Sequence, residues 1–162
     1  MSDAEAILAR LPHHRGVLER NLQVLLRMAD GMDDVAADHA LVPGGSTLRW
    51  LLGHLLAYRD RMLRRLGAEP VWDEATAAPF ERGTQVAGGP PFADVVAALR
   101  TQAPRLAAAF DAADTVALAQ PSKRASLGTL GAELEFGVWH DTYHIGQAAL
   151  YRRAAGLDSP IG

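Results

Sequence analysis

His140 and His144 stand four residues apart in a segment of helical periodicity. That spacing puts both imidazoles on one helix face, one turn apart, where they can bind the same ion. Gln147 follows three residues later and Tyr151 four after that, while Glu133 and Gly137 extend the stripe backwards. Leu130, Leu134, Val138, Ile145 and Ala148 give the same helix an apolar face. A polar stripe flanking a core stripe is how a bundle builds an internal site. His54 is the candidate third ligand. It lies about 120° from the apolar stripe of its own helix, at about 100° per residue, and shares that flank with Thr47, Trp50 and Tyr58. Read from that helix alone, His54 is more readily an ordinary, partly exposed histidine than a ligand. His13 and His14 sit in a first helical turn and His39 in a connection, so all three read as structural or solvent-facing.

Four helices are expected to position these residues. The first runs from about Pro12 to Ala29, with Leu18, Leu22, Leu25 and Ala29 at helical spacing and Pro12 in the first turn. Val42-Pro-Gly-Gly45 breaks the chain, and Ser46 or Thr47 then caps a second helix that ends at Gly67. Its core stripe is Leu48, Leu51, Leu52, Leu55, Met62, Leu63 and Leu66. Ala68 to Pro91 contains four prolines and three glycines. A connection of that length in a compact domain usually does something, and in a bundle it serves as a crossover. The third helix spans about Phe92 to Ala113, with a kink expected at Pro104. Residues 114–125 read as either loop or short helix. The fourth helix starts near Ser126 or Thr129 and reaches about Ala155, before Gly156. The fold class is therefore an all-α four-helix bundle, one domain over 1–162, with a long crossover between helices 2 and 3.

Composition narrows the function. The 162 residues are 49% apolar and carry a net charge of −3, which fits a globular domain and argues against a nucleic-acid binder, whose phosphate contacts need a clustered basic surface. Arg59, Arg61, Arg64 and Arg65 form a small basic group that reads as solvated surface. The absence of cysteine excludes disulfides, thiolate metal sites and a cysteine nucleophile. An acidic N-terminus and the lack of an apolar run of about 20 residues lead to the expectation of a cytoplasmic protein with no membrane partner.

The segment Ser46-Thr-Leu-Arg-Trp50-Leu-Leu-Gly-His54, followed about eighty residues later by His140-Asp-Thr-Tyr-His144-Ile-Gly-Gln147, resembles the DinB/YfiT-like family of four-helix metalloenzymes. The likeness extends over essentially the whole chain, including the long connection between the two motifs. It implies a three-histidine site, His54, His140 and His144, for Zn²⁺ or Ni²⁺, completed by water. Three neutral imidazoles suit borderline divalent ions, and the lack of a fourth protein ligand leaves a position open. Asp141, Glu133 and Gln147 are the candidates to fix an imidazole tautomer or hold the bound water. Asp141, about 100° round the helix from His140, is the weaker choice for that neighbour.

The resemblance further implies transfer of a low-molecular-weight thiol of the bacillithiol or mycothiol type to a small electrophile, or use of such a thiol in an isomerisation. Arg61, Arg65 and the Ala68–Pro91 connection are candidates to meet the thiol or the electrophile. Hydrolysis by a metal-bound hydroxide is the alternative chemistry, with Glu133 the one carboxylate placed to serve as base. A non-catalytic, stress-inducible metal-binding protein is the third reading. Phe136, Trp139, Tyr143 and Leu150 leave the fourth helix apolar nearly all round, so it needs a second cover, which could equally be the first helix, the long connection or a second copy; a homodimer is the preferred reading.

Overall fold

A computed structural model of the protein describes residues 1–84 and 89–158. Four long helices carry the fold: α1 (Asp3–Ala29), α3 (Leu48–Arg65), α5 (Phe92–Ala112) and α7 (Leu130–Ala154). Three single-turn helices lie in the connections, α2 (Asp34–Ala37), α4 (Glu74–Ala77) and α6 (Thr115–Leu118). The described residues contain no strand, only one isolated bridge between Pro121 and Thr129.

The long helices pack as a four-membered ring in the order α1, α7, α3, α5, with each touching its two neighbours. The second and the last long helices are therefore adjacent, although about eighty residues of chain separate their histidines. Apolar stripes fill the centre. Leu25 and Met28 of α1 meet Leu51, Leu52 and Leu55 of α3 and Val95 and Leu99 of α5. Towards the other end, Ile7 and Leu11 meet Met62 and Leu63, Leu106 and Phe110, and Leu134 and Val138 of α7.

The expected caps are largely those observed. Thr47 Oγ1 accepts from the Trp50 N–H at 3.2 Å, and Thr129 Oγ1 from the Ala132 N–H at 3.3 Å. The first helix differs from expectation. It begins at Asp3, not Pro12, because Ser2 and Glu5 form a capping box: Ser2 Oγ accepts from the Glu5 N–H and Glu5 Oε2 from the Ser2 N–H. Pro12 lies inside the helix, where Ile7 and Leu11 are buried in the core. The ambiguous stretch 114–125 contains α6, capped by Asp114, and then a return to Thr129.

The long connection is tied to the bundle. The carboxylate of Asp60, fully buried on α3, accepts from the Val71 and Trp72 N–H groups, both at 2.9 Å, and from Gln102 of α5. Trp72 and Phe80 enter the core, and their rings stack at 5.1 Å. Phe80 packs directly on Gly53, where a Cβ would overlap its ring. Residues 85–88 of the Ala68–Pro91 connection lie outside the described residues.

One expectation about charge is corrected. Arg59 is not solvated surface; it is 2% exposed and forms a two-pronged ion pair with Asp141, from Nε at 2.7 Å and Nη2 at 3.1 Å. Arg61, Arg64 and Arg65 stay at least partly exposed. No described helix is long and apolar enough to cross a membrane.

Candidate metal centre

His140 and His144 project from α7 towards His54 on the neighbouring α3. One ligand-capable nitrogen from each lies within 4.8 Å of the others. His140 Nε2 is 3.2 Å from His54 Nε2 and 3.2 Å from His144 Nε2. Two nitrogens bound to one tetrahedral ion at about 2.0–2.1 Å stand about 3.3–3.4 Å apart, so the spacing is that of shared ligation.

The hydrogen bonds on the far side of the rings decide which nitrogens face inward. His54 Nδ1 donates to the Phe80 carbonyl at 2.8 Å, and His144 Nδ1 donates to Gln147 Oε1 at 2.7 Å. Both Nε2 atoms therefore present lone pairs to His140. A proton on His140 Nε2 satisfies only one of them, whereas a cation satisfies all three nitrogens. Aromatic rings hold the imidazole planes. Trp50 stacks on His54 at 4.8 Å and 8°, and Tyr58 on His140 at 4.4 Å and 26°.

Electrostatics favours the same state. Burial, reinforced by the neighbouring His144 and His54, drives His140 down to about 3. Burial likewise lowers His54, against the opposing effect of its bond to the Phe80 carbonyl. Both rings are thus neutral near pH 7, the form a metal requires. The three-histidine group could hold a divalent ion.

The three polar candidates around it separate cleanly. Gln147 bonds to His144 and fixes its tautomer. Asp141 is turned away into the bundle, where it accepts from Arg59 and from Asn21 Nδ2 at 2.8 Å. Glu133 lies on the same cavity wall but accepts from the Ser122 hydroxyl at 2.8 Å and the Lys123 N–H at 3.2 Å, with Arg65 Nε at 3.6 Å. None of the histidine bonds among the described residues involves Glu133. Of the remaining histidines, His14 is outside this group and pairs with Glu135 at 3.0 Å.

The inward-facing nitrogens open onto a cavity of about 1220 Å³. Its walls come from α3, α7, the connection around α4 and the segment before α7; Trp50, Tyr58, Phe136, Trp139 and Tyr143 supply the aromatic part. Such a volume exceeds the usual range for a small-ligand pocket.

Sequence reasoning missed two supports. The Phe80 carbonyl carries no side-chain signature, and only Gly53, adjacent to His54, hints at a close approach. Tyr58 shares the flank of His54 along α3, but its stacking on His140 depends on the neighbouring α7.

No curated protein matches the chain. The match to the DinB superfamily spans residues 17–148, from the second half of α1 through both histidine motifs to Ala148. With a helical bundle, a paired-helix histidine group and that match in agreement, the chain belongs to the DinB superfamily.

Proposed function

We propose that the protein is a divalent-metal-dependent enzyme, with Zn²⁺ or Ni²⁺ held by His54, His140 and His144, that transfers a low-molecular-weight thiol of the bacillithiol or mycothiol type to a small electrophile. The observation that carries this reading is the convergence of three Nε2 atoms at the wall of a large open cavity. Three protein ligands leave a coordination position free, as in catalytic sites. The ion would supply Lewis acidity that keeps a sulfur deprotonated near neutral pH. The chain's own residues set the geometry. Phe80 and Gln147 hold the tautomers of His54 and His144, and Trp50 and Tyr58 hold the ring planes. The chain has no cysteine, so a reactive thiol must come from a second molecule.

Thiol transfer is favoured over hydrolysis by the state of Glu133. The one carboxylate expected as a base is already bonded to Ser122 and Lys123. A homodimer accompanies this reading: Trp139 and Tyr143, at the rim of the cavity, and Leu150 further along α7 are each more than half exposed and leave apolar surface that a second copy would cover. The experiment is incubation of metal-loaded protein with a panel of small thiols and a chromogenic electrophile. Thiol-dependent turnover that disappears in His144→Ala is expected. No turnover with any thiol would favour the non-catalytic, stress-inducible metal-binding reading.

A further inference from the structure

The cavity wall has a charge opposite to that of the protein as a whole. The chain carries a net −3, yet the cavity is lined by Arg61, Arg64, Arg65, Arg82, Lys123 and Arg124 against only three glutamates. Two of those cations are partnered, Arg61 by Glu81 and Arg65 by Glu133. Arg124 forms no ion pair among the described residues.

Arg124 is nevertheless held in place. Its guanidinium carbon lies 4.2 Å above the centre of the Phe136 ring, and Phe136 in turn faces His140 at 6.2 Å. Tyr58, stacked on His140 from the α3 side, is covered by Arg61 at 4.9 Å. Two arginines thus flank the aromatic pair beside His140, within the length of one small molecule of the converging nitrogens. The Arg124 side chain also approaches the Tyr58 hydroxyl, and a guanidinium stacked on a ring, with five N–H donors, retains others in its plane whose fork matches a carboxylate or a phosphate. Cations grouped in a cleft with apolar walls also focus the field on an incoming anion.

We propose that Arg124, supported by Arg61 and Lys123, is an oxyanion-binding subsite that anchors the carboxylate or phosphate end of a small anionic substrate, with its other end at the three histidines. The assignment of the second end rests on the metal-centre reading, whereas the anion subsite itself does not.

The test is calorimetric titration of zinc-loaded protein with succinate and, separately, with glycerol 3-phosphate, after its zinc content has been measured. Saturable 1:1 binding of at least one is expected, weakened tenfold or more in Arg124→Gln and partly recovered in Arg124→Lys. Arg27→Gln, which removes the same charge from exposed α1 away from the cavity, is expected to leave the affinity unchanged. Binding of both or of one identifies which oxyanion the subsite accepts. Absence of saturable binding of either ligand would overturn the proposal. So would equal affinity in Arg124→Gln, or an equal loss in Arg27→Gln. A protein that binds the anions but shows no thiol-dependent turnover would keep this subsite and lose the thiol-transfer reading.

Discussion

Arg59 on α3 and Asp141 on α7 form a buried, two-pronged ion pair, one residue along the chain from His140. Asn21 of α1 adds a third donor to the same carboxylate. The pair therefore locks the two ligand-bearing helices to each other and to α1, and it sets the rotation of α7 that turns His140 and His144 towards the cavity. Removing one partner strands a charge in the core. Asp141→Ala is expected to lower the free energy of unfolding by about 3–5 kcal/mol in urea titrations, the usual cost of breaking a buried pair. The double variant Arg59→Met/Asp141→Leu should recover much of that loss, because it leaves no unpaired charge. Equal destabilisation by single and double variants would show that the pair is not the source of the effect.

The groups behind the imidazoles are expected to control metal affinity without being ligands. Gln147→Ala removes the acceptor that fixes the His144 tautomer and should weaken zinc binding about 10–100-fold, the typical effect of such partners. Gly53→Ala should act on His54 indirectly. A methyl at that position displaces the Phe80 ring, and with it the carbonyl that holds His54 Nδ1. Competition with a chromogenic chelator measures both affinities, while circular dichroism checks that the helices persist.

Metal removal and acid should reinforce each other. With zinc at about a thousand times its dissociation constant, bound metal adds about 4 kcal/mol to stability. At about 2–4 °C per kcal/mol for a chain of this size, chelation should lower the melting temperature by about 8–16 °C. The metal-free protein should also lose stability as pH falls. Histidines of the unfolded chain take up protons near pH 6.5, whereas folded His140 resists down to about 3 and folded His54 is lowered too. Across that window the unfolded chain binds more protons, so stability rises with pH and is lost on acidification. The slope between pH 7 and 5, above the carboxylate range, is the diagnostic part. His140→Gln should flatten it in thermal melts of chelated protein.

The legible parts of the structure were those encoded locally. The i,i+4 pair His140 and His144, the Thr47 cap and the leucine stripe of α3 each declare themselves within one or two helical turns. His54 required the resemblance carried by Ser46–His54 and His140–Gln147, because nothing within α3 says which helix its flank will face. The start of α1 is encoded in the Ser2-x-x-Glu5 capping box, a signal that a helix start placed at Pro12 overlooks; with Ile7 and Leu11 buried in the core, the helix holds an internal proline. Arg59 illustrates the opposite limit. Four arginines within seven residues look alike in sequence, and only the approach of Asp141 and Asn21 from two other helices makes one of them a core residue. Likewise, a main-chain carbonyl such as that of Phe80 has no residue type to betray it.

The most direct measurement of the central claim is metal content in the wild-type protein and in His54→Ala, His140→Ala and His144→Ala, each loaded with zinc, freed of excess and analysed by plasma mass spectrometry with its helicity verified. About one zinc per wild-type chain, and a small fraction of that in every single variant, is the result predicted by three converging Nε2 atoms. Full zinc content in the three folded variants would contradict it, and with it the assignment of this cavity as a metal centre.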